Sequence, residues 1–206
     1  MLRVYNYMAI GLAITGIAAM AMFQLAVVQD ASGAVVGLTG IGAVFFLSFR
    51  ISKMSVAAAQ MTFWVFAAIM GLSLSSIFLV YTAESITRVF FITAAAFGGL
   101  SLWGYTTKKD LSGWGSFLIM GLIGIIIASI VNIFLASSAL QFAVSVIGVL
   151  VFAGLTAYDT QRIKTMYYEG DSADAAGRKA IMGALSLYLN FINMFIMLLQ
   201  LFGQRE

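Results

Sequence analysis

Seven long apolar runs follow one another along this 206-residue chain, separated by short loops that hold most of its charge. They cover residues 8–28, 34–49, 55–81, 89–105, 115–135, 140–158 (continuing to 164) and 180–202. Each is near the roughly 20 residues that cross a bilayer as an α-helix. Only helices and closed barrels satisfy their own backbone groups in lipid, and barrel strands are short and alternating, so these runs are read as helices. Composition agrees: 62% of residues are hydrophobic and 9% charged, against roughly 25% charged in a soluble domain. A soluble fold could not cover its surface with so few charges. That excludes an ordinary cytosolic enzyme, a disordered chain and a nucleic-acid binder. The expected fold is an all-α membrane protein, a single seven-helix transmembrane domain over residues 1–206.

Arg3 precedes the first run, as in a secretory signal. The run is longer than a signal's apolar region and no small-x-small cleavage site follows, so it is read as a retained helix. The loop charges give an orientation. Arg3, Arg50, Lys53, Lys108, Lys109, Arg162, Lys164, Arg178 and Lys179 fall on one side, and only Arg88 and Arg205 on the other. Cytoplasmic loops carry the excess of Lys and Arg, so the N-terminus is expected in the cytoplasm and the C-terminus outside. The longest loop, 165–179, holds Glu169, Asp171 and Asp174 with two glycines. It is expected to be a mobile, solvated connector, since the ligand spacing of an EF-hand is absent.

The residue inventory narrows the chemistry. The chain has no cysteine, histidine or proline. Thiolate chemistry, His-dependent hydrolysis and Cys/His metal sites are therefore out. Any pH response must rest on buried carboxyl groups, and helix bends must come from something other than proline. An aspartyl protease needs two intramembrane acids, where this reading of the spans finds one. No enzymatic activity and no cofactor are expected.

Small residues four apart let helices approach closely. Such rows are Ala67, Gly71 and Ser75 in the third run, Ala94/Gly98 and Ala95/Gly99 in the fourth, and Gly124/Ala128 in the fifth. Two polar stripes stand out. In the seventh run, Gly183, Ser186, Asn190, Asn193, Met197 and Gln200 share one helical face. A stripe of that kind should turn toward protein or water, which predicts a central seventh helix. In the sixth run the stripe is Gln141, Ser145, Gly148, Phe152, Thr156 and Asp159. An acid within a span costs about 2.5–3.5 kcal/mol on insertion scales, so Asp159 needs a partner or a proton. Arg162, one turn on, and Arg50, at the end of the second run, are the two candidate counter-charges.

Three segments are similar to a known family: GYTTKKDLSGWGSFLIMGLIG (104–124), GLTAYDTQRIK (154–164) and GALSLYLNFINMFIMLLQLFG (183–203). They resemble the bacterial branch of the Bax inhibitor-1 family, and the resemblance covers essentially the whole chain. It implies a seven-helix fold with the last helix surrounded by six, in the bacterial inner membrane, and a pH-sensitive calcium leak. It also implies a proton-sharing pair of aspartates on helices six and seven, with an arginine of helix two latching to the pair. Asp159 matches the first aspartate and Arg50 the latch. Asn190 stands where the second aspartate is expected. Asparagine does not titrate, so the expectation here is a switch resting on one acid, with Asp159, Asn190, Asn193 and Arg50 along the ion pathway and Asp159 as the calcium ligand. The competing reading is a regulatory membrane protein that binds a membrane protease or another membrane protein without transport.

Overall fold

The computed structural model describes residues 1–24, 54–167 and 170–205. The second apolar run and Arg50 lie outside the described residues. The others form helices: α1 (Leu2–Gln24), α2 (Val56–Leu74), α3 (Ile77–Val80), α4 (Ala83–Thr106), α5 (Trp114–Leu135), α6 (Ser138–Met166) and α7 (Ala173–Phe202). Among the described residues, six stretches are long and apolar enough to cross a membrane: α1, Val56–Val80, α4, α5, α6 and α7.

Local chemistry sets the helix ends. Ser55 and Thr82 cap α2 and α4, each side chain accepting the backbone N–H three residues on. The third apolar run is broken without proline. The Ser73 hydroxyl donates to Ile69 O, that of Ser75 to Leu72 O at 2.6 Å, and that of Ser76 to Ser73 O. Hydroxyls bonding back to carbonyls compete with the helical ladder and bend it, and α2 gives way to the four-residue α3 at this point. Ala136 ends α5 with φ 48°, a left-handed cap usually given to glycine.

The connector before α7 is shorter than the sequence suggests. Helix α6 runs to Met166 and α7 starts at Ala173, so more than half of the expected loop is helical. Lys179 Nζ holds Asp171 at 2.6 Å and donates to Met166 O at 2.8 Å, tying α7 back to the end of α6. Outside the helices, burial pushes the Tyr167 phenol above its ordinary value.

The described residues divide into two compact units, those up to Tyr81 together with those from Met166 to Tyr188, and Thr82–Thr165 together with Leu189–Arg205. Helix α7 contributes its first half to one and its second half to the other. In the first unit, α1 and α2 pack at the small-residue row: a Cβ on Gly71 would meet Thr15 O and stand 2.8 Å from Ala18 Cβ. The Thr15 hydroxyl lies 2.6 Å from that of Tyr188 and 2.9 Å from Ala67 O, joining α1, α2 and α7. Phe63 and Phe66 meet the Tyr188 ring edge-on. In the second unit, α4 and α6 touch where a Cβ on Gly104 would strike the Ala157 backbone. Phe90 and Phe97 pack on Phe191.

The other small-residue rows do not serve this way. Gly98, Gly99 and Gly124 have no described atom within 4 Å of where a Cβ would stand. Of the six apolar stretches, α7 is the most buried, with 67% of its apolar window covered against 11–39% for the others.

Candidate functional site

Helices α6 and α7 turn their polar stripes toward each other. The contacts run as an antiparallel ladder. Asn190 Nδ2 donates to Asp159 Oδ2 at 2.8 Å. Met197 fills the space beside Gly148, its Sδ 2.9 Å from a Cβ built there. The Ser145 hydroxyl donates to Gln200 Oε1 at 2.7 Å. Periodicity put each set of residues on one face; packing matched the two faces.

Asp159 is buried, and each of its oxygens has a partner. Oδ2 accepts from Asn190, while Arg162 Nη1 stands 3.7 Å from Oδ1. Arg162 itself is 53% exposed, so this arm reaches from a wet end of the helix into a buried acid. The other described acids within long helices, Glu84 and Asp174, sit in first turns, where the helix dipole suits them. Asn190 therefore takes up a position opposite the acid without contributing a second charge. An amide hydrogen donates to a carboxylate and needs no shared proton. Asn193 turns away from the acid, its side chain donating to Leu189 O at 2.8 Å. Of the expected pathway residues, the structure thus brings Asp159 and Asn190 together, leaves Asn193 bonded to its own helix, and supplies Arg162 as the described counter-charge.

The polar ladder opens at its other end. Along α7, Asn190 is buried, Asn193 and Met197 half-buried and Gln200 exposed. Met197 and Gln200 there line a cavity of about 430 Å³ together with Ser129, Asn132 and Gln141. The facing stripes thus run from this half-polar cavity at one end to the buried carboxylate at the other, with Met197 packed against Gly148 between them.

Sequence reading missed four contributors. Gly104 and Ser101, three apart on α4, form the face that holds α6 beside Asp159, with the Ser101 and Thr160 hydroxyls 2.9 Å apart. Their spacing was the available signal. Asn132 is the only amide in its span and, with Ser129 one turn before it, lines this cavity. Gln161 carries no charge and gave no signal, yet its amide clamps the 107–112 loop. Nε2 donates to Lys109 O, and Oε1 accepts from Leu111 N, both at 2.8 Å.

These features define a multi-pass α-helical membrane protein with a buried carboxylate–amide pair between its last two helices. The chain belongs to the Bax inhibitor-1 family: the family model described as inhibitor of apoptosis-promoting Bax1 matches residues 1–206. Among similar proteins, the inner membrane protein YbhL of Escherichia coli K12 is 47% identical over 214 residues, covering all of this chain and 92% of YbhL. An uncharacterized protein of Caulobacter vibrioides is 48% identical over 219 residues, covering 98% of this chain and 87% of that protein.

Proposed function

We propose that this chain is a passive cation leak of the bacterial inner membrane, permeable to calcium and switched by protonation of Asp159. The observation that carries this reading is the ladder: Asp159, the one buried acid among the described residues, paired with Asn190 on two facing stripes whose other end lines a cavity. Similarity to YbhL, an inner membrane protein by name, supports the location. The loop charges support seven spans with the N-terminus in the cytoplasm and the C-terminus outside.

The donor set suits passage better than storage. A tightly held calcium ion takes six to eight oxygens, usually from several carboxylates. Asp159 and Asn190 offer one charge and one amide carbonyl, and conduction requires a site weak enough to leave. Protonating Asp159 would remove its attraction for both Arg162 and a passing cation. Nothing in this reading calls for a catalytic step or a bound cofactor.

The test is calcium flux from proteoliposomes across pH, wild type beside Asp159→Asn. The expected result is a pH-dependent flux whose dependence disappears in the variant. An unchanged pH profile in Asp159→Asn would overturn the switch. A role confined to binding a membrane protease or another membrane protein would leave partner capture intact in that variant and yield no protein-dependent flux in either form.

A further inference from the structure

On the loop side of Asp159 lies a second cavity, of about 300 Å³, whose lining includes Lys108, Lys109, Arg162 and Lys164 together with Asp110 and Tyr158. Four cations and one acid share a small concave space. We propose that this cleft binds the phosphate headgroup of an anionic membrane lipid. The proposal does not rest on the transport reading.

The cleft is a built feature of the 107–112 loop. Both bonds from the Gln161 amide hold the loop backbone against α6. Asp110 Oδ1 accepts Ser112 N–H at 2.9 Å and Thr107 Oγ1 accepts Lys109 N–H at 3.2 Å, fixing the turn. Lys164 is immobilised by donating to Tyr105 O at 2.8 Å, with its ammonium 4.8 Å from that ring's centroid. Lys108 and Lys109 are exposed and form no ion pair among the described residues. The arrangement thus concentrates positive charge and leaves two ammonium groups free to meet an anion.

Position favours a lipid over a soluble phosphate. Trp103 and Tyr105 close α4 just before the loop, and Trp114 opens α5 just after it; all three are exposed. Exposed Trp and Tyr at helix ends sit at headgroup depth, and basic pockets at that depth take lipid head groups. Arg162 is shared between the two sites, lining the cleft while standing 3.7 Å from Asp159. A bound phosphate would compete with Asp159 for this guanidinium.

The test uses the purified full chain in a neutral detergent, with lipid adducts counted by native mass spectrometry. Phosphatidylglycerol and phosphatidylcholine of equal chain length are titrated separately, with inorganic phosphate as a third arm. Wild type should prefer phosphatidylglycerol, and Lys108→Gln with Lys109→Gln should weaken that preference by roughly fivefold per cation removed. Lys108→Arg with Lys109→Arg should keep it. Gln161→Ala, which frees the loop and removes no charge, should weaken it too. Equal binding of the two lipids, or a preference unchanged in the double Gln variant, would overturn the site. Displacement of phosphatidylglycerol by millimolar inorganic phosphate would overturn the lipid assignment in favour of a soluble phosphate.

Discussion

Substitution of Gly104 by alanine tests the packing that holds α6, and with it Asp159, in place. The added methyl would strike Ala157 O and lie 2.8 Å from Ala157 Cα and 2.9 Å from its carbonyl carbon. These are backbone atoms, so no side chain can swing aside. Relief requires the two helices to separate by roughly the shortfall from ordinary van der Waals contact, on the order of 1 Å. Overpacking of this kind costs about 1–3 kcal/mol. At about 2–4 °C per kcal/mol for a chain of this length, the thermal midpoint should fall by roughly 2–12 °C. Gly99→Ala is the control on the same helix. No described atom lies within 4 Å of its new methyl, and alanine is the better helix former by up to about 1 kcal/mol. Its midpoint should hold or rise slightly. Both are measured by tryptophan fluorescence during heating in one detergent. Because Ala157 lies two residues before Asp159, on the leak reading Gly104→Ala should also change calcium flux in proteoliposomes, while Gly99→Ala should not. If Gly104→Ala melts with wild type, or Gly99→Ala is equally damaging, α4 and α6 do not approach this closely at Gly104.

Met197→Ala removes the side chain packed against Gly148, between the cavity at Gln200 and Asp159; on the leak reading, calcium flux should rise above wild type, and an unchanged flux would remove Met197 as a barrier. Tyr188→Phe deletes one buried hydroxyl while Thr15 keeps its bond to Ala67 O, so thermal stability should fall by only about 0.5–1.5 kcal/mol; Thr15→Val strands the Tyr188 hydroxyl and should cost more. Ala136→Gly relieves the left-handed cap of α5 at φ 48° and should stabilise by about 1 kcal/mol in the same melt. Hydrogen bonds from the Ser112 side chain and backbone hold the Asp110 carboxyl below its ordinary value. The turn they stabilise should be intact above the ordinary carboxylate range and lost as pH falls through the lowered value, which a carbon-13 carboxyl titration by NMR can follow. A midpoint at or above that of a free aspartate would refute it.

Much of this architecture is legible in the residues because its causes are local. Apolar length marks the spans, and helical period alone places Asn190, Met197 and Gln200 on one stripe and Ser145, Gly148 and Asp159 on another. The need of an intramembrane acid for a partner is likewise a property of Asp159 itself. The family, too, is legible in three contiguous segments.

Tertiary structure decided what faces what. Glycine rows that read alike diverged: Gly71 meets backbone, while Gly98, Gly99 and Gly124 meet no described atom. In lipid the hydrophobic effect does not drive helices together, so a small residue is no worse off facing the bilayer, and only shape matching across helices selects the row that is used. The polar contacts divide in the same way. Arg162 reaches Asp159 one turn back on its own helix, a pairing the period allows, while the adjacent Gln161 clamps a loop some 50 positions away. The second assignment depends on where that loop puts its backbone N–H and C=O groups, which no local period encodes.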